Sequence, residues 1–214
     1  VPAPALILVN GTATDSVPAL DRGLAIVDGV FRTLPVRAGR PLNWRWQWAR
    51  LAADCAKLRL PVPEEEVVRA EISRVAPGDA VVKVIQTRGA AGRGYAMPAG
   101  PIPTRVVSAH PLPEHPPQWG EAGIRVRRCH LVLAQQPRLA GAKTLNRLES
   151  VLARSEWDDP EIAEGLLADS EASDSPLQKR LSQLGRVLVY GCVGLVTLVA
   201  GVGPGGIAQL AAQG

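Results

Sequence analysis

Cysteine is scarce in this 214-residue chain: Cys55, Cys129 and Cys192 are the only three. Their number is odd, their spacings are long and no CxxC pair occurs. That excludes a disulfide framework and a structural zinc site, and it fits a reducing, cytoplasmic compartment. The three histidines do not stand at ligand spacing, so no metal is expected. Lysine is also rare. Twenty of the 24 basic residues are arginine, which leaves Lys57, Lys83, Lys143 and Lys179 as the lysine amines available for chemistry. The net charge of +4 is diffuse, with no basic run longer than Arg127-Arg128 or Lys179-Arg180, and this argues against nucleic acid as a partner. Residues Val1–Val9 lack the charged n-region of a secretory signal, so no signal peptide is expected there. Acidic residues are missing from one end: none follows Asp174.

What remains is ordinary globular composition, 46% hydrophobic and 21% charged. The apolar run Ala5–Val9 ends in Asn10-Gly11, a strong hairpin signal. Val30–Leu34 reads as a strand limited by Pro35, and Ala38–Pro41 as a turn. Asn43 is positioned to cap a helix on which Trp44, Trp48, Leu51, Cys55 and Leu58 recur at helical spacing until Pro61 and Pro63. Glu64–Glu66 open a second helix with acidic residues in its first turn. Val81–Thr87, Thr104–Ala109 and Ile124–Arg128 read as strands, Leu145–Arg154 as a helix, and Gly165–Ala168 as a short buried strand. Pro111, Pro113, Pro116 and Pro117 mark a stiff linker. The expected architecture is therefore α+β in two domains: residues 1–109, a linker at 110–120, the start of a second domain at 121–172, and an atypical tail at 173–214.

Lys143 sits in Leu139-Ala-Gly-Ala-Lys-Thr-Leu-Asn-Arg-Leu148, after small residues and before a helix. A lysine amine in a partly apolar pocket has a depressed pKa and becomes nucleophilic, as imine formation with an aldehyde cofactor requires. On the residues alone, an exposed lysine at a helix start is the simpler account.

Four blocks carry a resemblance. Asp21-Arg-Gly-Leu-Ala-Ile-Val-Asp-Gly-Val-Phe-Arg-Thr33 is similar to a "DRGxxxGDGxFxT" segment, and Gln47-Trp-Ala-Arg-Leu51 stands where an "HxxRL" helix occurs. Thr87-Arg-Gly-Ala-Ala-Gly-Arg-Gly-Tyr95 resembles "SRGSGGRGY", and Lys143–Arg154 resembles "KxLNRLExVLxR", continued by Glu164–Glu171. In this order and spacing they resemble the fold-type-IV pyridoxal-phosphate (PLP) enzymes, which include aminodeoxychorismate lyases and the branched-chain and D-amino-acid aminotransferases. The resemblance covers about residues 5–171.

The resemblance implies PLP as cofactor, a small-molecule substrate and a homodimer whose active site lies between domains and borrows from the neighbouring subunit. It implies Lys143 as the Schiff-base lysine and as the group that moves protons. Arg50 would reach the cofactor phosphate, where a guanidinium can hold two oxygens; a solvated helix arginine is the plain alternative. Thr33 would lie near the reacting carbons, or be an ordinary strand threonine. Arg93 would meet substrate carboxylates, and Arg88 would do so too or else hold its loop together, while glycines 89, 92 and 94 let that loop bend. The GRGY and LNRLE segments are lyase-like, and Arg147 stands where aminotransferase relatives more often have tyrosine. The implied reaction is conversion of 4-amino-4-deoxychorismate to 4-aminobenzoate and pyruvate. A class IV aminotransferase and an inactive relative are the alternatives.

Three departures accompany the resemblance. Ile26-Val27 replaces an aromatic-glycine pair, and Gln47 replaces a common histidine. After Glu171 the pattern stops, and with it the glutamate expected to pair with the pyridine nitrogen and the glycine turn expected to bind phosphate. The second domain thus reads as truncated, through a frame-shifted or mis-joined gene end or through a shortened natural variant. In this tail Val187–Gly203 is an uncharged run of 17 residues containing four glycines. A membrane span needs about 20, and none is expected.

Overall fold

The computed structural model describes residues 6–169. The first strand, β1 (Ile7–Val9), turns through Asn10 (φ 48°) and Gly11 (φ 82°) into β2 (Thr12–Ala13), with Val9 opposite Thr12. Two central residues at positive φ make the twist that a two-residue hairpin needs, and this is why Asn-Gly occupies it. A one-turn helix, α1 (Arg22–Ile26), follows, capped by the Asp21 side chain, which accepts from the Gly23 N–H at 2.7 Å.

Strand β3 (Gly29–Arg37) runs on past Pro35, beyond the limit expected. The Pro35 carbonyl accepts from the Leu42 N–H, so the proline nitrogen faces the outer edge and its missing hydrogen removes no bond to the inner neighbour. A tight turn at Ala38-Gly39 leads into β4 (Arg40–Pro41). Helix α2 (Trp44–Lys57) begins where expected, but Asn43 is in the left-handed region (φ 52°) and its side chain makes no cap bond. Its carbonyl takes the N–H groups of Trp46 and Gln47 instead. Helix α3 (Glu65–Val75), β5 (Ala80–Thr87) and β6 (Arg105–His110) follow. A short α4 (Trp119–Ala122) lies just after the prolines. Then come β7 (Arg125–Leu133), α5 (Leu148–Arg154) and β8 (Ile162–Asp169).

The strands form a six-stranded sheet in the order β2-β1-β6-β5-β3-β4 and a two-stranded sheet of β7 and β8. Period-two alternation sorts the large sheet into two faces. Leu8, Val30, Leu34, Val36, Val82, Val84 and Val107 are buried with Leu51, Cys55, Val68 and Ile72 of α2 and α3. Phe31, Thr33, Lys83, Ile85, Val106 and Ser108 take the other face. A second, smaller cluster unites Cys129, Ala153 and Trp157 with Leu131, Ile162 and Leu167.

One expected element is shorter than its sequence pattern suggests. Residues 145–147 are not helical, and α5 starts at Leu148. The preceding stretch pairs with β3 instead: Val30 bridges Thr144, the Phe31 N–H donates to the Lys143 carbonyl at 3.0 Å, and the Leu145 N–H donates to the Gly29 carbonyl at 3.0 Å. Backbone bonding to a free strand edge has overridden the leucine periodicity.

Candidate active site

Phe31, the chain's single phenylalanine, is the centre of a cationic cluster. The Lys143 and Lys83 ammonium nitrogens each lie 4.9 Å from its ring centroid, and the Arg147 guanidinium carbon lies at 5.4 Å. The two ammonium groups are thus within about one Debye length of each other. Burial pulls the Lys143 amine below the ordinary lysine range, and the charges of Arg32, Arg147 and Lys83 pull the same way; Asp54 opposes them. The structure brings Lys143 to β3 through the bonds at Gly29 and Phe31. Thr33 is next but one to Phe31, on the same face, and lies directly across from Lys83 in the β3–β5 register. It is exposed on this face.

Lys83 and Arg147 are the residues that motif reading alone does not assign. Lys83 has one signal in the sequence: a lysine amid the β-branched run Val81–Ile85 of a strand must leave the core face.

The other expected residues are placed differently. Arg50 lies on α2, exposed, with its guanidinium carbon 5.5 Å from the Trp46 ring centroid. It is one turn before Asp54, on the stripe of α2 that meets the lysine segment. Arg93 does not join the Phe31 cluster. It lines a separate groove of about 400 Å³ with Leu20, Arg22, Ile26 and Tyr95.

Arg88 is not placed to meet a substrate. It is 3% exposed, and every terminal nitrogen is engaged. Nε and one Nη grip the two Asp28 oxygens at 2.8 and 3.0 Å, while the carbonyls of Arg59 and Leu58 accept at 2.8 Å each. Arg22 Nε adds a third bond to Asp28 at 2.8 Å. Burial alone would raise the Asp28 pKa, but the hydrogen bonds and charges of Arg88 and Arg22 outweigh it and hold the carboxyl below the usual range. The Asp21–Asp28 motif and Arg88 therefore build a structural knot between α1, the end of α2 and the glycine loop.

The cluster has part of the chemistry that PLP demands: a partly buried lysine with a weakened hold on its proton, beside cations suited to an anionic aldehyde and an anionic substrate. The expected losses after Glu171, and the uncharged run Val187–Gly203, lie outside the described residues. Among the described residues no helix is long and apolar enough to cross a membrane.

Several known proteins resemble this chain. Residues 29–173 match the family described as amino-transferase class IV. A curated aminodeoxychorismate lyase of Vibrio harveyi is 33% identical over 160 residues, covering 74% of this chain and 59% of the relative. The crystal structure of 4-amino-4-deoxychorismate lyase from Pseudomonas aeruginosa superposes with a TM-score of 0.72 at 45% identity, over 77% of this chain and 61% of that one. The branched-chain amino acid aminotransferase of Escherichia coli shares the fold, with a TM-score of 0.66 at 21% identity over 78% of this chain and 60% of that one. The chain thus spans between 59% and 61% of the length of these relatives. With a family match over more than half its length and a lysine seated on the β3 edge, the chain belongs to the class IV aminotransferases, of fold type IV.

Proposed function

We propose that the protein is a PLP-dependent lyase that converts 4-amino-4-deoxychorismate to 4-aminobenzoate and pyruvate, acting as a homodimer in the cytoplasm. The observation that carries this reading is the convergence of Lys143, Lys83 and Arg147 on Phe31. The 33% and 45% identities to aminodeoxychorismate lyases support the choice of reaction.

When bound, PLP supplies an electron sink for the carbon that bears the substrate amine. Lys143 and Arg50 are the residues that would hold it. Lys143 Nζ, whose hold on its proton is weakened by burial and by its cationic neighbours, takes the proton from that carbon. Thr33 stands on the same face and relays a proton to the departing three-carbon group, which leaves as pyruvate. The ring gains aromaticity, and no net proton or electron is exchanged with solvent. Lys83 and Arg147 hold the substrate carboxylates in this reading. Arg93 lines a different groove, so it reaches the substrate here only from a neighbouring subunit.

Absorbance titration of the purified chain with PLP, borohydride reduction and peptide mapping test this, with Lys143→Ala as control. The expected result is a visible band whose reduced label maps to Lys143, followed by 4-aminobenzoate formation from 4-amino-4-deoxychorismate. No band, or label spread over Lys57, Lys83 and Lys179, would mean an inactive relative. The family itself supports a second reading, aminotransfer. Keto-acid formation from a D- or branched-chain amino acid with 2-oxoglutarate, without 4-aminobenzoate, would replace the lyase by that reading.

A further inference from the structure

Strand alternation puts Arg32 on the wrong side. Val30, Leu34 and Val36, its neighbours in period two, are fully buried against the helices, so an apolar residue is expected at position 32. An arginine stands there, its side chain 11% exposed, and it pairs with Asp54 of α2, which is 4% exposed. Burying an ion pair costs several kcal/mol per ion, and an apolar pair of similar volume is often neutral or stabilising. Folding alone does not call for this pair. Arg32 Nε has no hydrogen-bond partner among the described residues, so the guanidinium is aimed at Asp54 at the expense of its own donors.

Asp54 does one more thing. The oxygen that meets Arg32, Oδ2, also accepts the backbone N–H of Lys143 at 3.3 Å. One turn further along α2, Lys57 donates to the Ala140 carbonyl. The segment that carries the site lysine is therefore tied to α2 at two points and to β3 at two more.

We propose that the Arg32–Asp54 pair is the positioning device of the site lysine: Asp54 pins the Lys143 backbone to α2, and Arg32 orients that carboxylate and adds a positive charge to the site. This rests on the reading of Lys143 as the cofactor lysine. Four charged groups act on the Lys143 amine: Arg32 from β3, Lys83 from β5, Arg147 from its own segment and Asp54 from α2. Arg32, Lys83 and Arg147 weaken the amine's hold on its proton, and Asp54 opposes them. Neither Arg32 nor Asp54 needs to touch substrate to act.

The test uses the cofactor-free full chain with its lysines reductively methylated with carbon-13. The four lysines give few resonances, and Lys143→Arg identifies that of Lys143. Its titration midpoint should rise in Arg32→Met and fall in Asp54→Asn. Opposite shifts are the signature of charge; a role in packing alone would move both toward the value of a solvated lysine. Unmoved midpoints, or shifts of the same sign in variants with native circular dichroism, overturn the proposal. Should either single variant fail to fold with its partner charge stranded, Arg32→Met/Asp54→Leu removes both. It should speed exchange of the Lys143 amide hydrogen, whose bond to Asp54 is lost; an unchanged rate overturns the proposal. PLP labelling of the wild-type chain judges the underlying reading separately. Label at Lys143 with an unmoved titration sinks the positioning role alone, and opposite shifts without label sink the cofactor reading alone.

Discussion

The Arg50 guanidinium lies over the Trp46 ring, 5.5 Å from its centroid and one helical turn along α2. Trp46 is 56% exposed, whereas Trp44 and Trp48 stack on each other at 5.9 Å and pack against the core. The ring thus holds an arginine that would otherwise sample many rotamers. Trp46→Ala should weaken PLP binding about two- to fivefold, the size of a cation–π contact of roughly 0.5–1 kcal/mol at an exposed site. Arg50→Ala should weaken it more. Absorbance titration of the two variants checks this; an unaltered affinity in Trp46→Ala beside a loss in Arg50→Ala would show that Arg50 orders itself.

Val27 occupies the left-handed region at φ 55°, immediately after α1. A β-branched side chain is poorly suited there, and strain of about 1–2 kcal/mol is expected. The family pattern has glycine at this position. Val27 is also 47% exposed, so its removal sacrifices little packing. Val27→Gly should therefore raise stability by up to about 1 kcal/mol after the added freedom of the unfolded glycine is counted. Denaturant unfolding measures it, and a loss of stability would show that the valine side chain contributes more to packing than its exposure suggests.

Much of this was legible in the sequence, for identifiable reasons. The hairpin at Asn10-Gly11, the β-branched run of Val81–Thr87 and the 3.6-residue stripe of α2 are local signals, and each element formed at or within a residue of its expected place. The extension of β3 through Pro35 was not legible, because tolerance of a proline depends on which edge its nitrogen faces. Nor was the start of α5, because Thr144 is drawn away by a free strand edge 114 positions earlier in the chain, at Val30. In the site, the lysine was legible only through a motif. Its setting depends on Phe31, Lys83 and Asp54, which no spacing rule joins. Arg88 was open to two readings because a conspicuous loop arginine serves carboxylate recognition and internal anchoring equally well; its buried bonds to Asp28 decide for anchoring.

That anchoring has a pH signature. Asp28 titrates below its usual 3.8 in the folded chain. A carboxyl with a depressed folded pKa contributes stability that is complete above the unfolded value and is lost as pH falls through the folded one. Stability should therefore decline below about pH 4. Arg88→Leu leaves Asp28 buried with only Arg22, and removal of one partner from such a pair costs about 3–5 kcal/mol. Unfolding curves of wild type and Arg88→Leu between pH 3 and pH 7 check both statements. A loss below 1 kcal/mol at pH 7 would mean that Arg22 alone suffices for Asp28, on the scale of an ordinary exposed ion pair, about 0.2–1 kcal/mol.

Gly29 is one of the points where the lysine segment meets β3. A Cβ at this position would stand 2.7 Å from the Gln86 carbonyl oxygen, 2.8 Å from Leu145 Cδ1 and 3.1 Å from Thr87 Cα. Two of these are backbone atoms of β5, the strand paired with β3, and they cannot retreat without breaking the ladder. Leu145 Cδ1, the end of a flexible side chain, can yield, but the Gln86 carbonyl cannot, so β3 itself must shift at Gly29 and draw with it the Leu145 N–H bonded to the Gly29 carbonyl. Gly29→Ala should displace the Gly29 end of β3 together with the Lys143–Leu145 segment while the rest of the sheet persists, at an overpacking cost of about 1–3 kcal/mol. Two consequences separate this from general unfolding. Amide exchange at Leu145 should accelerate while that of core residues such as Val82 and Val84 stays slow. PLP labelling of Lys143 should fall by about tenfold or more, because displacements near 1 Å cost up to about a hundredfold in a positioned reaction. If both Leu145 exchange and Lys143 labelling match wild type, the segment tolerates the methyl group and its close approach at Gly29 has no part in placing the lysine.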